Sequence, residues 1–127
     1  MYRAYLGTLT ASSSNVVPSV DVEFKGTPRP TGIRVLFSTI NKSSKGTSGT
    51  KFSVYPLWRV NGAIIVEATS IATVTVQTSV KGQARVLVAP SAAASSRIPV
   101  APDGLRIKAN TDAGTLSCDV SIVAANE

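Results

Sequence analysis

Apolar and polar residues alternate one by one along most of this chain, and nowhere do they recur at the three-to-four-residue spacing of an amphipathic helix. Period two puts every second side chain on one face of an extended strand, so the pattern commits the chain to sheets with one buried face. Val20, Val22 and Phe24 alternate with Asp21 and Glu23. Ile33, Val35 and Phe37 make a second stripe, with Arg34 and Ser38 turned the other way. Phe52, Val54 and Trp58 make a third, interrupted by Pro56, whose missing N–H predicts an edge strand or a bulge. The most regular run is 115–124, where Leu116, Cys118, Val120 and Ile122 oppose Ser117, Asp119 and Ser121.

Turn residues divide these runs. Asn61-Gly62 suits the two positive φ angles of a type I′ hairpin, so 51–60 is expected to pair antiparallel with 63–69. Residues 73–80 follow, then 84–89 after Lys81-Gly82, with Val86 and Val88 as the inward stripe. Together the four runs read as a meander of consecutive antiparallel strands. Pro90, Pro99 and Pro102 bracket a Ser/Ala-rich stretch, expected to be a surface loop. Asp103-Gly104 introduces 105–109, and the turn 110–114 joins it to the last strand as a closing hairpin. About eight strands without a crossover helix predict an all-β fold: an antiparallel β-sandwich, jelly-roll-like, in a single domain covering 1–127. An immunoglobulin-like sandwich is the second form, without its usual cysteine pair. Residues 1–10 are either an edge strand of the domain's own sheet or an arm onto a neighbouring subunit.

Residue types exclude much chemistry. The 127 residues include no histidine, so a Ser–His or Cys–His nucleophile, a histidine base and a histidine metal ligand are all ruled out. One cysteine, Cys118, rules out an internal disulfide and any multi-cysteine metal site. Its place in an apolar stripe reads as a buried, inert thiol. Asp21 and Glu23 share a strand face that is expected to meet water, not to line a glycosidase cleft. Asp103 and Asp112 fall in turns, where carboxylates satisfy backbone groups. Asn110 and Asp112 are a conceivable calcium site, which turn chemistry explains better. The chain therefore reads as a non-enzyme with no catalytic, cofactor-binding or metal residue and no cofactor. No apolar run is long enough for a signal peptide or a membrane span, so synthesis in a cytoplasm and no membrane partner are expected.

Binding features remain. Thirteen Lys and Arg against seven Asp and Glu give a net charge of +6, but the cations are scattered, and the tightest group, Lys42 to Lys51, lies in a Ser/Gly-rich loop. Solvation of the surface accounts for them, and nucleic acid is not the favoured partner. Tyr2, Arg3 and Tyr5 at the N-terminus, and Tyr55 with Arg59 on an outer strand face, are the candidate partner-binding residues, because Tyr and Arg are enriched at interfaces. Leu36, Ile65 and Leu87 each oppose apolar neighbours, so these strands are apolar on both faces. Burial in a symmetric homo-oligomer, a trimer first, would cover them.

These parts resemble the small virion proteins of tailed bacteriophages, and within them the capsid decoration (cement) proteins. The resemblance rests on Ser/Thr/Ala/Val strands, a Met start, the absent histidines, the lone cysteine and the run Gly104-Leu105-Arg106-Ile107-Lys108 followed by Gly114-Thr115-Leu116-Ser117-Cys118-Asp119-Val120-Ser121-Ile122. It implies a small sandwich or jelly roll, often trimeric, made in the host cytoplasm and carried in the virion. There it would clamp junctions between major capsid subunits. No binding residue of that family maps onto a numbered position. A tail, neck or fibre component would share every feature, and a carbohydrate- or nucleic-acid-binding sandwich module is the remaining alternative.

Overall fold

In the computed structural model, residues 2–12, 17–25, 32–42, 51–76, 81–89, 102–111 and 114–125 are described. Among them lie nine strands and no helix: β1 (Tyr2–Ser12), β2 (Ser19–Glu23), β3 (Gly32–Lys42), β4 (Lys51–Val60), β5 (Ala63–Val66), β6 (Ala72–Thr75), β7 (Gln83–Ala89), β8 (Gly104–Asn110) and β9 (Thr115–Ala125). All pairings are antiparallel. Sheet A has the order β1-β9-β3-β7, and sheet B the order β2-β8-β4-β5, with β6 also on β4. The chain is an all-β sandwich, as its alternation dictates.

The pairings nest. First pairs with last (β1 with β9), then β2 with β8, β3 with β7, and β4 with the nearby β5 and β6. Successive pairs alternate between the sheets, as in one long hairpin ribbon rolled up on itself. N-terminal residues 2–12 are therefore an edge strand of the chain's own sheet, bonded to β9.

Three sequence expectations are corrected. Residues 63–69 and 73–80 do not continue a meander: β5 and β6 both lie on the same side of β4, and β7 crosses to sheet A beside β3. The closing hairpin is absent, because β8 belongs to sheet B and β9 to sheet A. Pro56 sits in a central strand, flanked by β8 on one side and β5 and β6 on the other. It is tolerated because its missing N–H falls in the gap between β5 and β6, while its carbonyl accepts the Glu67 N–H at 3.1 Å. The Ser/Ala-rich run 91–96, the proline-bracketed loop around it and the Lys-bearing 43–50 lie outside the described residues.

The core sits between the sheets. Leu9, Ile33, Val35, Phe37, Leu116, Cys118, Val120 and Ile122 of sheet A meet Val22, Phe52, Val54, Leu105 and Ile107 of sheet B, all buried. Phe37 and Phe52 join the layers in an offset stack, 4.6 Å between centroids. A register shift in β3, with Thr39 at φ 52°, lets Ile40 follow Phe37 into the core three residues later. Asn61 and Gly62 take φ of 52° and 80°, the type I′ turn expected from their sequence.

Candidate surfaces on the two sheets

Alternation leaves each sheet an outer face, and register aligns its residues in rows. On sheet A one row runs Tyr5, Ser121, Leu36, Val86 across all four strands. Beside it Arg3, Val123 and Arg34 form a second row. Further along lie Thr8, Asp119 and Ser38, then Thr10, Ser117 and Asn41. Tyr5 and Val86 are 64% and 58% exposed, so the first row is open to solvent at both ends. Leu36 and Val123 between them are half-buried.

Tyr5 is held in place. Its hydroxyl lies 3.0 Å from Thr8 Oγ1 and 3.4 Å from Asp119 Oδ1, and Thr8 donates to the same Asp119 oxygen at 2.7 Å. A shift in register between Tyr5 and Gly7 brings Thr8 opposite Asp119. The ring is thus ordered before any partner arrives, which lowers the entropic cost of docking on it.

The outer face of sheet B carries more charged side chains, paired across strands. Asp21, Arg106 and Tyr55 share a row, and Arg106 donates Nε and Nη2 to the two Asp21 oxygens at 2.8 Å each. These bonds push the Arg106 pKa up and keep the guanidinium charged. Glu23 pairs with Arg59, whose backbone N–H donates to Asp103 Oδ2 at 2.8 Å. Lys108 places its ammonium 4.9 Å from the Tyr55 ring centroid.

The sequence-derived site residues therefore separate. Arg3 and Tyr5 lie together on sheet A. The Tyr2 side chain is outside the described residues, although its backbone pairs with Ala124. Tyr55 and Arg59 share a face of β4 but take different partners: Lys108 covers one side of the Tyr55 ring, and Arg59 turns to Glu23. They share that face without acting as one group. Asp21 and Glu23 are ion-paired, not merely solvated.

Sequence reasoning missed Val86. Its phase was reversed, for Val86 faces outward beside Leu36, and Leu87 pairs in register with core Val35. The side chains of Leu87 and Val88 are outside the described residues.

Each of the five described carboxylates has a donor: Asp21 with Arg106, Glu23 with Arg59, Glu67 with Trp58 Nε1 at 2.9 Å, Asp103 with the Arg59 N–H, and Asp119 with Thr8. Cys118 is buried, and desolvation, with a smaller contribution from Asp119, pushes its thiol up to about 12. It is protonated and unreactive near neutral pH. Among the described residues no three His, Cys, Asp or Glu side chains are grouped to hold a metal ion, and Asp112 lies outside them. Comparison with protein-family models, with curated proteins and with solved structures gives no match.

Proposed function

We propose that this chain is a non-enzymatic structural protein that docks on a protein lattice through the outer face of sheet A, as a capsid decoration protein does on a phage head. The observation that carries the reading is the row Tyr5–Ser121–Leu36–Val86 with Arg3, Val123 and Arg34 beside it. Tyr, Arg and aliphatic side chains without Lys or Glu are the composition of an interface centre. The neighbouring hydroxyls of Thr8, Ser38, Thr10 and Ser117 are cheaper to take out of water than charges are.

Topology adds support at the level of fold analogy. If β5 and β6 are two halves of one strand broken beside Pro56, eight strands pair first-with-last through fourth-with-fifth, alternating between two four-stranded sheets. That is the wrapping of a jelly roll, an architecture common in viral capsid and lectin domains. Lys108 covers one side of the Tyr55 ring, which weighs against the carbohydrate alternative. Binding only to the mature shell would stabilise that shell by mass action.

The test is co-sedimentation of the purified chain with expanded head shells of the phage that encodes it, together with the shells' heat resistance. Wild-type chain and Tyr55→Ala should co-sediment and raise the temperature at which shells open. Tyr5→Ala combined with Val86→Asp should lose at least tenfold in affinity. Association with tails in place of heads would move the protein to the tail or neck, and association with neither removes the reading.

A further inference from the structure

The hairpin β4–β5 runs past the end of β8, whose last partner on β4 is Leu57 opposite Gly104. Beyond that point the two sides of the hairpin are finished differently. On the β8 side Asp103 closes it: its N–H donates to the Leu57 carbonyl at 3.0 Å, and its carboxylate accepts the Arg59 N–H. On the far side of β5 no described strand pairs. Leu57 and Arg59 turn their backbone groups toward Asp103, so Trp58 and Val60 turn theirs toward β5, where Ile65 and Ala63 are their partners. The N–H and C=O groups of Ile64 and Val66 therefore point outward along the open edge. The side chains there are apolar on both faces, with Val60, Ile64 and Ile65 exposed at 48%, 43% and 51%.

We propose that this edge pairs with the same edge of a second copy, antiparallel about a twofold axis at Ile65. An open row of backbone donors and acceptors is a ready-made template for another strand. The sequence is self-complementary in that register. Ile64 and Val66 of one copy exchange both backbone bonds with Val66 and Ile64 of the other, and Ile65 faces Ile65. On one face the row becomes Trp58–Ile65–Ile65–Trp58 across the axis. Charge fits as well: Ala63 meets the other copy's Glu67, and no like charges oppose, although each chain carries +6 overall.

Area sets the strength. Three half-exposed side chains and four backbone bonds fall well short of the roughly 800 Å² per partner of a standard stable interface. The pair is therefore weak: monomeric at micromolar concentration and dimeric toward the millimolar. Copies held side by side on a scaffold reach such effective concentrations without any new contact. The inference concerns the free chain and stands apart from the docking face of sheet A.

Sedimentation velocity of the purified chain, from about 10 μM to about 1 mM, reads it directly. Wild type should rise from the monomer mass toward twice that value and level off. Val66→Pro removes an N–H that bonds nothing within the hairpin and should stay monomeric. Ile65→Lys puts two ammonium groups across the axis and should do the same, with partial recovery at high salt; it decides the matter if the proline variant melts early. Tyr5→Ala should behave as wild type. A mass independent of concentration, a stable trimer throughout, growth beyond the dimer without a plateau, or dimerisation unchanged in both edge variants would overturn the proposal.

Discussion

On the outer face of sheet B, Asp21 is bound by Arg106, Glu23 by Arg59, and the Tyr55 ring by Lys108, each across strands. On the outer face of sheet A the polar groups are mainly hydroxyls, with Arg3, Arg34 and one carboxylate, Asp119, held by Thr8, and one row ends in exposed Tyr5 and Val86. Charges paired within their own sheet complete a surface for water. A hydroxyl-rich sheet with an ordered tyrosine and exposed aliphatic side chains is the face we propose to be covered. The two faces share one core, so what separates them is what stands on the outward positions, not how well each sheet is supported.

That shared support can be broken first. Phe37→Ala removes the ring that stacks on Phe52 between the sheets and should cost about 3–5 kcal/mol, lost in one urea transition that melts both sheets together. Two separate transitions would show that the faces are independently supported. Next in size is Gly104→Ala, confined to sheet B. A Cβ there would collide with the Val22 carbonyl oxygen of β2, so a loss of about 1–3 kcal/mol is expected, with unchanged urea dependence of the slope.

Cys118 reports the core beneath sheet A through pH. Its folded pKa lies above its ordinary 9.0, so the neutral thiol favours the fold. Stability from this group is complete below pH 9 and is lost as pH rises from there toward about 12, because the unfolded chain deprotonates first. Urea midpoints across that window should fall more steeply for wild type than for Cys118→Ala, and a thiol reagent at pH 8 should label only unfolded chain.

The smallest effects fall on the outer faces and separate them most sharply. Asp21→Asn should cost about 0.2–1 kcal/mol, shrinking in high salt, as an exposed ion pair does. Tyr5→Ala should change stability by no more than about 0.5 kcal/mol, since its ring stands largely in water, yet weaken docking on a lattice. Thermal melts at two salt concentrations beside a binding assay distinguish the two outcomes.

Much of this was legible in the sequence. The stripes through Val22, Val35, Phe52 and Val120 named the core because each alternates with polar residues, and Asn61-Gly62 named its turn. What failed was partnership. β1 and β9 pair from opposite ends of the chain and leave no local trace, and the sequence between β8 and β9 reads the same whether or not the two strands share a sheet. Pro56 was read as an edge strand or a bulge, whereas it sits in a central strand opposite a break in its neighbour. At Val86 the run Val-Leu-Val is apolar in both phases, so only register with Leu36 decides which side faces out. Arg3 and Tyr5 were singled out by residue type alone, whereas the bond network that orders Tyr5 depends on an Asp119 more than a hundred residues away.

If sheet A, not sheet B, is the face that becomes covered, its exposed residues alone should lose solvent contact on binding. Hydroxyl-radical footprinting of the chain free and bound to head shells measures that at single residues, with Tyr5 and Val86 on one sheet and Tyr55 on the other as internal reporters. Tyr5 and Val86 should lose most of their labelling on the shell while Tyr55 keeps its own. Protection of Tyr55 with Tyr5 still labelled would contradict it.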